Sequence, residues 1–74
     1  MTDTESDHDT TAIDRTIKTS VRQAGSIDRD SLVALVAIEV SVPQRPVRHR
    51  VDELERTGEI YAVPTADGME VRVP

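Results

Sequence analysis

The stretch from Val40 to Tyr61, VSVPQRPVRHRVDELERTGEIY, constrains the fold of this chain more than any other. Val47, Val51 and Leu54 stand at i, i+4 and i+7, so a helix through them carries all three side chains on one narrow stripe that must face a core. Arg45, Arg48, His49 and Arg56 fall on the far side of the same helical wheel, together with Asp52. A partly basic face therefore looks outward. Gly58 is free to take a positive φ and stop the helix, and Glu59 to Val63 reads as a strand. Upstream, Pro43 and Pro46 fix the start, because proline loses a hydrogen bond in mid-helix but fits the first turn. The helix is predicted to begin between these two prolines, with Ser41 as the cap if it begins early.

The preceding segments supply what this helix packs on. After Asp9 or Thr10 as a cap, Ile13, Ile17, Val21 and Ala24 recur in a single apolar stripe, and Gly25 closes that helix. Arg15, Lys18 and Arg22 point away from the stripe, as on any solvated helix face. Ser26 and Ile27 leave room for a very short strand. Asp28 is then a good N-cap, with Asp30 placing negative charge in the first turn of a helix running to about Glu39. In this second helix Val33, Val36, Ile38 and Val40 would also suit a buried strand, but its length, its cap and the helix formers Leu32, Ala34, Leu35 and Ala37 favour a helix. Leu32, Leu35 and Val36 are predicted to form its inner face. Ile38 falls opposite them, so either the helix is covered on both sides or an apolar patch is left for a second copy of the chain. Val42 plugs the corner between the second and third helices.

At the C-terminal side Ile60, Val63, Val71 and Val73 flank the turn residues Thr65 to Gly68, and Asp67-Gly68 signals a hairpin. Pro64 marks an edge or the end of its strand. At the other end, residues 1–9, MTDTESDHD, contain no apolar residue after Met1 and are predicted to be a disordered acidic tail. His8 between Asp7 and Asp9 does not make a metal site, because adjacent residues of a tail do not enclose an ion. The domain proper is residues 10–74.

Composition narrows the function classes. A chain of 74 residues makes one domain with a small core and no room for a deep catalytic cleft. Tyr61 is its one aromatic residue, so Val, Ile, Leu and Ala must build the core and nothing offers a stacking platform for nucleobases. Cysteine is absent, which removes disulfides and thiolate zinc sites. Neither a basic leader followed by an apolar run nor a membrane-length apolar stretch is present, so a cytoplasmic protein without membrane contact is expected. The sequence shows no paired catalytic carboxylates, no Ser/His/Asp spacing and no phosphate-binding glycine loop. An enzyme, a cofactor or a bound metal is therefore not expected.

Asp and Glu number 14 against 9 Lys and Arg, and Lys18 is the single lysine among the latter. Such a carboxylate-rich, arginine-biased surface resembles halophilic proteins that work in molar salt. At about 1 M salt the Debye length is only ~3 Å, so net negative charge hardly repels DNA beyond contact distance. Screening also weakens binding driven by counterion release, which leaves close hydrogen bonds and shape to carry it. An ordinary acidic interaction module has the same composition and stays open.

The segment VPQRPVRHRVDELERTGEIY resembles the helical segment of winged helix-turn-helix domains: a hydrophobic turn residue, a small residue or Pro, two apolar positions four apart, then Leu, Gly and a strand. The ending GEIYAVP is also similar to the C-terminal winged helix of archaeal minichromosome maintenance helicases. The resemblance implies an α+β winged helix-turn-helix over residues 10–74, with three helices, a short strand and a C-terminal β-hairpin wing. It implies DNA contacts from Gln44, Arg45, Arg48 and His49 in the third helix, with Arg45 or Arg48 on guanine, Gln44 on adenine, and His49 and Arg56 on phosphate. The tip residues Thr65 to Gly68 offer no cation, so Arg72 would have to substitute from its strand. Arg50, near the core stripe, would pair with Asp52 or Glu53 or cover apolar surface with its stem. Two functions follow as expectations: a transcriptional regulator reading double-stranded DNA, or a protein-binding winged helix docked in a replication or transcription complex.

Overall fold

A computed structural model describes residues 10–74; the acidic tail and the Asp9 cap lie outside the described residues. Three helices are followed by a hairpin: α1 Thr10–Ala24, β1 Ile27–Asp28, α2 Arg29–Val40, α3 Gln44–Thr57, β2 Tyr61–Thr65 and β3 Gly68–Arg72. The strands form one antiparallel sheet in the order β1-β3-β2. This is a small α+β fold whose layout is compatible with a winged helix.

The core is aliphatic throughout. Ile13, Ile17 and Val21 of α1 meet Leu32, Val33, Val36 and Ala37 of α2 and Val47, Val51 and Leu54 of α3, and Ile60 and Val71 close it from the hairpin. No buried residue among those described is polar. Tyr61 stays outside, consistent with a core that one aromatic residue does not build. Each helix contacts the other two, so the three stripes converge on a single centre.

The stripes of α1 and α3 lie where their periodicity places them, except that Ala24 at the end of α1 is exposed. The inner face of α2 is rotated from the expected one: Leu32, Val33, Val36 and Ala37 are buried, while Leu35 is 41% exposed. This helix is apolar around most of its circumference, so periodicity carries little directional information, and simultaneous packing on α1 and α3 chooses the face. Ile38 does point outward, 77% exposed.

Helix ends follow local chemistry. The Asp28 side chain accepts from the Ser31 backbone N–H at 3.1 Å, capping α2 as its sequence implies. Ser41, however, is not the N-cap of α3. It closes α2 in a left-handed conformation, φ 60°, with its N–H donated to Ile38 O and that of Val42 to Ala37 O. Pro43 is the N-cap of α3 and supplies no side-chain bond, and Pro46 sits in the first turn, where its missing N–H costs least. Val42 packs against the core at the corner.

Gly58, φ 86°, terminates α3, and the N–H groups of Glu59 and Ile60 both turn back to Leu54 O. Those two residues are committed to the helix end. That is why β2 begins at Tyr61 rather than at Glu59. The β1 pairing is Ile27 opposite Val71 and Asp28 opposite Glu70, which puts β3 in the middle of the sheet. Pro64 falls in the outer strand β2, opposite Met69, and Ala66-Asp67 make the tip between Thr65 and Gly68. No helix among the described residues is long and apolar enough to cross a membrane.

Candidate nucleic-acid interface

With Val47, Val51 and Leu54 fully or almost fully buried, helical geometry turns Gln44, Arg45, Arg48 and His49 to solvent, and all four are exposed. From Gln44 to Val51 the chain holds no acidic residue. The first turn of α3 has neither an acidic side chain nor a side-chain cap, so the positive end of the helix dipole is not offset locally.

The acidic residues of α3 lie in its C-terminal half, and each is engaged. Arg29, at the start of α2, bonds the carboxylates of both Asp52 and Glu55, the latter at 3.2 Å. Burial by itself lowers the Arg29 pKa, but its two carboxylate partners outweigh this and leave it raised. Glu53 accepts from Arg56 at 2.7 Å, within the same helix. Arg50 does not pair with Asp52 or Glu53. It reaches α1, where its Nε and Nη2 donate to the two oxygens of Asp14, both at 2.9 Å. Hydrogen bonding to Asp14 is the main cause of the raised Arg50 pKa. The fork fits because Arg50 borders the buried stripe on the side facing α1, while Glu53 of its own helix is taken by Arg56.

Lys18 stays on the solvated face expected for it, beside Arg15 and Arg22, but bonds Glu59 there at 2.6 Å. These links tie α1 to α3 and to the residues just after α3, and α2 to α3. The cations left with no ion-pair partner among the described residues are Arg15 and Arg22 on α1 and Arg45 and Arg48 on α3. On α3, then, the two arginines singled out as base readers are unengaged, while Arg56 is already paired.

Arg72 lies on β3 opposite Tyr61, away from the hairpin tip, and donates to Glu70 at 3.1 Å. That bond is the main cause of its raised pKa. The exposed tip itself carries Asp67 and no cation. The structure brings Gln44, Arg45, Arg48 and His49 together on one end of α3; Arg56 lies farther along the helix, and Arg72 belongs to the sheet. The long-range ion pairs of Arg29, Arg50 and Lys18 were not indicated by the sequence pattern, since their partners are 23 to 41 residues away in the chain. No group of His, Asp and Glu able to hold a metal occurs among the described residues. No protein-family model, curated protein or solved structure matches this chain.

Proposed function

We propose that residues 10–74 form a winged helix-turn-helix that binds double-stranded DNA through the N-terminal half of α3, as a transcriptional regulator. The observation that carries this reading is the division of charge along α3. Its carboxylates are neutralised by Arg29 and Arg56, while Arg45 and Arg48 stand exposed and unpaired on an acid-free half-helix. A helix laid in the major groove offers its N-terminal residues to base edges, and exposed arginines there suit the guanine O6/N7 edge. Gln44 matches adenine by the same geometry, and His49 reaches phosphate.

Fluorescence polarisation of labelled duplexes over a range of KCl tests this. Binding that weakens with salt and is lost when Arg45 and Arg48 are both replaced by Ala supports it; equal affinity of wild type and double variant for every duplex rules it out.

The second reading, a protein-docking winged helix, is favoured by one feature: the tip that would enter the minor groove presents Asp67, and Arg72 is engaged by Glu70. Partners that stay bound after nuclease digestion of a native-salt lysate, in the wild type but not in an Asp67→Lys variant, are the outcome it predicts.

A further inference from the structure

We infer that the outer face of α1 and α2 is a contact between two copies of this chain. Ile38 is the most exposed large apolar residue described, at 77%, and Leu35, one turn before it, is 41% exposed. Beside Leu35 an open groove runs between the two helices, walled on the α1 side by Thr19, Ser20 and Gln23. Thr19, Ser20 and Gln23 are uncharged, so an apolar side chain laid on that stretch of α1 desolvates no ion.

The groove also carries two opposite charges on opposite walls, Arg15 on α1 and Glu39 on α2. Neither has an ion-pair partner among the described residues, in a chain where Arg29, Arg50, Lys18, Arg56 and Arg72 are all paired. A patch bearing an apolar centre and one charge of each sign is self-complementary under a two-fold axis. Leu35, which lines the groove with these charges, meets its counterpart across the axis, and Ile38, on the same helix but outside that lining, flanks the contact. Arg15 of each reaches Glu39 of its mate, forming the same pair twice. A second copy is therefore the occupant whose charges are already specified by the chain itself.

The arrangement leaves α3 free. This helix packs on α1 through the Arg50–Asp14 pair and on α2 through Arg29, so its exposed side and the α1/α2 groove lie on different sides of the three-helix core. The inference therefore does not depend on DNA binding.

Sedimentation equilibrium of the full chain from micromolar to millimolar concentration tests it without DNA. The mass is expected to rise from one chain toward two. Ile38→Asp, at a position exposed enough to leave the fold unchanged, weakens dimerisation by at least about tenfold. Arg15→Glu and Glu39→Arg each weaken it by like-charge contact, and the two combined restore it, because the swapped pair forms again across the axis. A single-chain mass at every concentration, a dimer indifferent to Ile38→Asp, or a double swap no better than its singles would each overturn the proposal.

Discussion

Ser41 and Gly58 close their helices with similar left-handed backbone, φ 60° and 86°, but only one of them suits it. A Cβ at Gly58 meets nothing within 4 Å, so Gly58→Ala isolates the conformational cost from any clash. Urea denaturation should show a loss of about 1 kcal/mol. Ser41 already bears that cost, and Ser41→Gly should raise stability by up to about 1 kcal/mol. Ion pairs divide by geometry in the same way. Arg50 and Asp14 form a two-bond fork with side chains 29% and 22% exposed. A double-mutant cycle on that pair should return a coupling of about 1 kcal/mol. The Arg56–Glu53 pair, with Arg56 71% exposed, should return at most about 0.5 kcal/mol. A guanidinium is charged at any ordinary pH and the hydrogen bonds to Asp14 raise the Arg50 pKa further, so raising the pH does not weaken the fork.

At the scale of elements, α2 is the part that composition and packing specify by different routes. Its start was legible, because Asp28 caps it through a local bond to Ser31. Asp28→Ala should cost about 1 kcal/mol, read from the thermal midpoint. Its inner face was not legible, since apolar side chains surround the helix and only contacts with α1 and α3 select Val33 and Ala37 over Leu35. Alanine substitutions separate the two: Ile17→Ala, fully buried in α1, should lose about 3 kcal/mol, whereas Leu35→Ala should lose less than about 1 kcal/mol. The stripes of α1 and α3, the short strand at Ile27 and the hairpin turn were all readable, because each rests on a period or a turn residue within a few positions. The links from Arg29, Arg50 and Lys18 were not, because a periodic pattern carries no information about which distant carboxylate a long side chain will meet. For the candidate interface, the exposure of Gln44, Arg45, Arg48 and His49 followed from the α3 stripe. That Arg45 and Arg48 are unpaired, and Arg56 and Arg72 paired, required the tertiary structure.

For the whole molecule, a formal net charge of −5 coexists with an acid-free, doubly cationic end of one helix. Arg29 and Arg56 pair the carboxylates of α3, and on the proposed reading this leaves its N-terminal end to meet an anion, where proximity outweighs net charge once salt has shortened the Debye length. If Arg45 and Arg48 each displace a counterion, replacing both with Ala should flatten the dependence of log affinity on log salt by about 2. Titration of duplex DNA into the isotopically labelled protein, followed through its backbone amides at high KCl, tests the central claim most directly. The account predicts shifts concentrated on residues 44, 45, 48 and 49, with the C-terminal half of α3 and the tip at Asp67 little changed. Amides at the α3 N-terminus that stay still with every duplex, or shifts centred on the hairpin or on α1, would contradict it.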